Sequence, residues 1–375
     1  MDSGAHDAGI DARGEANRGE ANRGDANRIR AAESKRIVGG AGAPATSPHL
    51  SRLSLPDRTN YVAAFLSLHC NLDCHYCINL HEDFAGGRRR IVTRHMNADE
   101  WIAAFSRIPH GNTLPITLQG GEPTVHKEFY DIVAGVEDGT QFDLLTNLTF
   151  DVNEFVRRVP VSRFDREAPY APIRVSYHPG QNKMSDLIPR ALRLEEHGFR
   201  VGIYGVLHPD QRDEILRWQE KAHGLGVDFR TKEYLGVDDV GIHGHYKYPD
   251  AITKEINHYC ECRTTELLIA PSGYVFRCHS DLYEARTPIG HLLDPEFDFK
   301  DEFRPCFVYG HCNPCDVKIK TNRFQNFGHT SVDIRNRRAL DADEDARRRA
   351  GDNGLGRSPA LDIKLPPREA ESRTE

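Results

Sequence analysis

Cys70, Cys74 and Cys77 stand on one short stretch, directly after an apolar run over 61–68. Three thiolates on one loop can hold three corners of a cubane iron–sulfur cluster and leave the fourth iron open, whereas a closed structural zinc site needs a fourth protein donor. Tyr76, just ahead of the third cysteine, is placed to cover a flat ring bound there. A Cys-x2-Cys pair alone more often marks half of a zinc site or a redox pair, and the full triplet after a strand shifts that balance. A disulfide framework would call for a secretory context, which no apolar N-terminal segment supplies. The other six cysteines, Cys260, Cys262, Cys278, Cys306, Cys312 and Cys315, cluster late in the chain. Pro271-Ser272-Gly273 turns a β-hairpin between Cys262 and Cys278 and brings their thiols together at its base. Between the two cysteine groups lies Gln119-Gly120-Gly121-Glu122-Pro123-Thr124. Its glycines let the backbone approach a ligand closely, and Glu122 or the adjacent backbone can hold a cation. Alone, such a stretch is only a turn.

Elements that could position these residues follow from the hydrophobic pattern. From Tyr61 on, short apolar runs alternate with amphipathic segments, which predicts repeated βα units and a parallel sheet. Six strands are expected, at 61–68, 114–118, 142–145, 173–177, 201–206 and 227–231. Asn97 and Glu100 form a capping-box pair ahead of a helix burying Trp101, Ile102, Phe105 and Ile108. A second helix buries Phe129, Ile132, Val133 and Val136, and later helices are expected at 186–197 and 212–223. In βα barrels the chemistry sits at the C-terminal ends of the strands. The residues there are Glu122 and its neighbours, Thr146-Asn147, Ser176-Tyr177-His178, His208, and Lys232-Glu233 with Arg230. His178 and His208 are as consistent with structural histidines before proline as with catalytic ones, and charges such as Lys232 and Glu233 at a strand end are commonly just solvated.

The Cys-x3-Cys-x-aromatic-Cys pattern of Cys70, Cys74, Tyr76 and Cys77, with Gly-Gly-Glu-Pro at 120–123 at the next strand end, resembles the radical S-adenosylmethionine (SAM) superfamily. That resemblance covers roughly 61–327 and implies a partial (β/α)6 barrel, open on one side. It implies a 4Fe-4S cluster on Cys70, Cys74 and Cys77, with SAM bound by Tyr76, Gly120, Gly121, Glu122, Pro123, Asn147 and Ser176. A side chain at Gly121 is then expected to weaken SAM binding and spare the cluster. Catalytic candidates are His178, His208, Lys232 and Glu233. The hairpin over Cys262-x10-Gly273-x4-Cys278 and the stretch Pro288-Ile289-Gly290-His291-Leu292 are similar to SPASM and Twitch extensions. They imply one auxiliary 4Fe-4S cluster on Cys262, Cys278, Cys312 and Cys315, with Cys260 and Cys306 as further candidate ligands; a four-thiolate zinc site is the alternative.

At 375 residues, with Lys+Arg 49 against Asp+Glu 56 and a formal charge of -7, the chain carries no global nucleic-acid signature. It has no apolar stretch near the ~18 residues of a membrane span. Nine cysteines then point to metal or redox sites in a cytoplasmic protein. The expected organisation is a disordered tail at 1–58, with the repeat Arg13-Gly-Glu-Ala-Asn17 and its two copies, a barrel at 59–240, a cysteine-rich α+β extension at 241–330, and a second disordered tail at 331–375. The resemblance implies reductive cleavage of SAM to a 5′-deoxyadenosyl radical, with an electron donor such as flavodoxin or ferredoxin. The substrate reading leans to oxidation or rearrangement of a small molecule, a sugar, aminosugar or nucleoside, because a repeat tail precedes the barrel where a leader-binding domain would sit. The alternatives are a maturase of ribosomal peptides or proteins and a non-catalytic cluster or zinc protein.

Overall fold

The computed structural model describes residues 50–78, 94–110, 114–320 and 328–339; the repeat at 13–27 lies outside them. Six parallel strands in chain order frame the molecule: β1 (Tyr61–Ser67), β2 (Ile116–Gly120), β3 (Phe142–Thr146), β4 (Ile173–Tyr177), β5 (Val201–Leu207) and β6 (Phe229–Glu233). The helices α1 (Ala98–Ser106), α2 (Phe129–Gly135), α3 (Val152–Arg158), α4 (Met184–Glu196) and α5 (Arg212–Gly224) link them. This is the expected α/β architecture of an open barrel. β1 is buried along its whole length, as a strand covered on both faces must be. The predicted capping box closes α1: Asn97 Oδ1 accepts from the Glu100 N–H at 2.9 Å, and Glu100 Oε2 accepts from the Asn97 N–H at 3.0 Å. α1 buries Trp101, Ala104 and Phe105 against the sheet.

Several boundaries depart from the sequence reading; β2 runs over Ile116–Gly120 rather than 114–118, so Gln119 and Gly120 are its last residues. β6 starts at Phe229 rather than Val227, so Lys232 and Glu233 are its last residues and not a loop beyond it. β6 is not followed directly by a barrel helix; it runs into a ribbon of β7 (Gly236–Val237) and β8 (Ile242–His243).

The extension then builds onto the barrel. β9 (His258–Thr264) leads to β10 (Glu266–Ile269), which pairs parallel with β1, Tyr61 opposite Glu266. The hairpin of β10 and β11 (Tyr274–Phe276), with β12 (Gly290–His291), continues the sheet to nine strands in the order β12-β11-β10-β1-β2-β3-β4-β5-β6. The hairpin thus occupies the β1 edge that six strands alone would leave open. β9 is also the centre of a second sheet, between β13 (Arg304–Tyr309) and β14 (Val332–Ala339), and two short helices complete the extension, α6 (His279–Tyr283) and α7 (Pro314–Val317).

Both expected tail boundaries are corrected by packing. Leu53 is part of the hydrophobic core, and the fully buried Arg107 donates from Nε to the Ser51 carbonyl at 2.9 Å, so the ordered fold begins before residue 59. The same guanidinium donates to the carbonyls of Leu292, Asp294 and Phe297 and so fastens α1 to the extension. At the other end β14 occupies residues expected to be disordered. Its Val332 and Ile334 are buried, and its exposed Arg335 and Arg337 pair with Glu261 and Asp250.

Inside the barrel, Asp143 on β3 accepts a bidentate pair from Arg166 at 2.7 and 2.9 Å and a further bond from Arg174 on β4 at 3.0 Å. Asp143 and Arg166 are buried. Removing one member of such a group strands the other charges in a low-dielectric interior. Asp143→Ala is therefore expected to cost about 3–5 kcal/mol, read as a fall in the urea midpoint of the barrel; a midpoint unchanged from the parent would contradict the pairing.

Candidate active site and thiol centres

The loop leaving β1 carries the first three thiols. Cys74 is buried, and Cys70 and Cys77 are half-buried. The Cys77 N–H donates to the Cys74 carbonyl at 3.1 Å, a turn that gathers the later two thiols. The Leu72 N–H points at Cys70 Sγ at 3.4 Å and Asn147 Nδ2 at 3.8 Å. Such donors stabilise a thiolate and tune a cluster bound to it. Asn147, a candidate SAM contact, thus also touches the cysteine loop, where it donates to Asn71 Oδ1 at 2.7 Å.

The glycines of the 120–123 stretch serve the same loop. The Gly121 N–H donates to the Ser67 carbonyl at 2.8 Å, and the Glu122 N–H to the His69 carbonyl at 2.7 Å. A Cβ on Gly121 would lie 2.1 Å from the His69 carbonyl oxygen, and one on Gly120 1.9 Å from that of Ser67. The close approach that requires glycine is therefore to the backbone leading into Cys70. Glu122 is likewise turned inward. Its carboxylate accepts from the Thr124 N–H and Oγ1, from Thr146 Oγ1 at 2.8 Å and from the Asn147 N–H at 2.7 Å. Burial pushes this carboxyl up against those hydrogen bonds, all of which favour its charged form. Glu122 ties the end of β2 to the end of β3, so the backbone beside it, not its buried carboxylate, is the part that can meet a ligand.

Around the mouth, aromatic and imidazole rings meet. Tyr76 Oη is hydrogen-bonded to His178 Nδ1 at 2.9 Å, and the Tyr76 ring stacks on His208 at 5.2 Å. Burial, with help from the Lys232 ammonium, pushes the His178 imidazole down to about 4, so it is neutral at ordinary pH. Ser176 and His178 are joined through Asn182, which accepts from the His178 N–H and donates to the Ser176 carbonyl. Lys232 Nζ lies 4.9 Å over the Tyr204 ring. Glu233 turns to the extension, where it accepts from Lys318 Nζ at 2.6 Å and is paired with His245 Nδ1 at 2.6 Å. Burial raises this carboxyl, and the two partners outweigh it to leave a net lowering. Of the four catalytic candidates, Tyr76 therefore gathers His178 and His208, Lys232 lies beside them, and Glu233 is a tie between β6 and the extension.

The extension brings together Cys260, Cys262 and Cys306, with sulfurs within 4.8 Å of one another and the first two 3.5 Å apart. Cys260 and Cys262 fall on one face of β9, and Cys306 is opposite Cys260 on β13. Cys278 and Cys312 pack in the same small core. Cys315 sits on α7, its thiol raised by burial and surrounded by Lys320, Asp316 and Lys318. The sequence reading placed Cys262, Cys278, Cys312 and Cys315 first; the tightest group instead joins Cys262 to the two further candidates. Arg277 was not foreseen. It is buried, donates to Asp281 at 2.6 Å and supplies positive charge to Cys306, Cys278 and Cys262. The two thiol regions also touch, through Asn313 Nδ2 donating to the Ile78 carbonyl at 3.4 Å and through the buried Tyr283, which is influenced by both Cys315 and Cys77.

The family model described as Radical SAM superfamily matches residues 65–169, a span holding the cysteine loop, the Gly-Gly-Glu-Pro stretch and Asn147. Residues 65–169 are thus those of a radical SAM domain. It is 28% identical over 153 residues to the PqqA peptide cyclase of Rhodopseudomonas palustris, a match over 41% of this chain and 34% of that protein. The chain thus spans about a third of the length of this curated relative. Among solved structures it is similar to His6-tagged anSMEcpe with bound AdoMet, at 12% identity and TM-score 0.40, covering 62% of this chain and 77% of that one. It is also similar to Streptococcus suis SuiB bound to precursor peptide SuiA, at 14% identity and TM-score 0.37, covering 65% and 64%. The superfamily uses a 4Fe-4S cluster and SAM, and the three-thiol loop fits that cluster: three ligands, hydrogen-bond donors to one sulfur, and no fourth cysteine on the loop. No helix of the described residues is long and apolar enough to cross a membrane.

Proposed function

We propose that the chain is a radical SAM enzyme that modifies a peptide. The observation that carries the enzymatic part is the joining of Cys70, Asn147, Gly121 and Glu122 by direct hydrogen bonds or backbone contact, which unites both superfamily motifs at one strand-end site. When bound, the cluster and SAM supply a 5′-deoxyadenosyl radical able to take a hydrogen atom from substrate. Cys70, Cys74 and Cys77 would hold the cluster, and the Leu72 N–H and Asn147 Nδ2 would stabilise the Cys70 sulfur. Tyr76 covers the site, with His178 fixing its hydroxyl. The cysteines around β9, with Arg277 as counter-charge, hold the auxiliary cluster. A flavodoxin or ferredoxin is the expected electron donor.

The likeness to a peptide cyclase supports a peptide over the small molecule that the repeat tail suggested. β6 is also the edge strand of the nine-stranded sheet, the kind of edge to which an extended peptide can add. The test is anaerobic turnover with SAM and dithionite against a peptide library and a panel of aminosugars and nucleosides, each deuterated at carbon. A peptide should accelerate 5′-deoxyadenosine formation and transfer deuterium into it; transfer from a small molecule, with none from peptides, would overturn the peptide reading.

A further inference from the structure

Among the described residues, one side-chain group outside the thiols has the composition of a metal site. His75, His208 and Asp210 each offer a ligand atom, and the three atoms lie within 4.8 Å of one another. They come from two places: His75 from the cysteine loop, His208 and Asp210 from the turn that closes β5. The two imidazoles stand 5.2 Å apart, nearly perpendicular. His208 Nδ1 and Asp210 Oδ2 are 3.7 Å apart, a separation that suits two donors each about 2 Å from one ion. The His208 ring is held by Tyr76, stacked at 5.2 Å, and by the edge of Tyr234 at 4.6 Å. The one bond that Nδ1 would give up, from the Asp210 N–H, is long at 3.3 Å. Burial lowers the pKa of this imidazole, which favours the neutral form that ligates.

We propose that His75, His208 and Asp210 bind one divalent transition-metal ion at the barrel mouth, with a fourth position left for water or a donor atom of substrate. Two imidazoles with one carboxylate favour zinc, cobalt, nickel or ferrous ions over magnesium and calcium, which take oxygen ligands. Such an ion would pin the cysteine loop to the end of β5. The proposal uses none of the thiols and does not depend on the peptide reading.

The probe is Co2+, titrated anaerobically into the full chain after its thiol sites are loaded with iron and loosely bound metal is removed. One cobalt per chain should bind, giving ligand-field bands of a nitrogen and oxygen set without thiolate charge transfer. His75→Ala and Asp210→Asn, both at exposed positions, should each weaken binding by roughly 100-fold while iron content stays at the parent level. Absence of uptake at millimolar Co2+, equal affinity in both variants, or a thiolate charge-transfer band would overturn the site.

Discussion

Replacing Cys70, Cys74 and Cys77 together by alanine is expected to remove about half of the roughly eight irons of the anaerobically reconstituted protein, and to abolish SAM binding. No other cysteine can substitute. The remaining six are in the extension, held by β9, β13 and the α6 and α7 turns, and the Asn147 and Leu72 donors are aimed at Cys70. Iron analysis with isothermal titration of SAM checks both halves of the result. Retention of full iron and SAM affinity would place the cofactor elsewhere. Iron near four in the parent protein, with zinc making up the difference, would leave the first centre intact and turn the extension into a zinc site.

Gly121→Ala should have the second-largest effect, and on both cofactors at once. The sequence alone suggested a change that obstructs SAM and spares the cluster. With the new Cβ 2.1 Å from the His69 carbonyl, however, the clash falls on backbone that cannot swing aside as a side chain can, and relief requires the cysteine loop to move. The Glu122 N–H to His69 bond and the Gly121 N–H to Ser67 bond would be strained together. Overpacking of this kind costs about 1–3 kcal/mol, so the barrel should remain folded while cluster loading and SAM affinity fall in parallel. Weakened SAM affinity with full core iron would support the simpler view that Gly121 only approaches the ligand.

Much of the core site was legible because it is local. The cysteine triplet, the capping box of Asn97 and Glu100, and the strand over 173–177 are set by neighbours in sequence, and each appears where the pattern places it. What escaped depends on distant partners. β14 reads as a charged tail because Arg335, Arg337 and Arg338 dominate it, yet its alternate Val332 and Ile334 bury against β9, some seventy positions earlier. Glu122 reads in sequence as a candidate cation holder alongside its backbone, since nothing local reveals that Thr146 and Asn147 arrive from the next strand to satisfy it. Cys260 and Cys306 ranked behind the spaced pairs for the same reason: cross-strand register, not spacing, brings them together. The shift of β6 has a similar origin. Its last residues are kept in the strand by pairing with Val206 and Leu207 of β5, although Lys232 and Glu233 look like loop residues.

The most direct test of the central claim is to reduce the iron-loaded chain with dithionite, add SAM, and quantify 5′-deoxyadenosine and methionine. Both should accumulate in equal amounts with the parent protein, and neither should form with Cys74→Ala. A parent protein with an intact core cluster and bound SAM that releases no 5′-deoxyadenosine would contradict the claim.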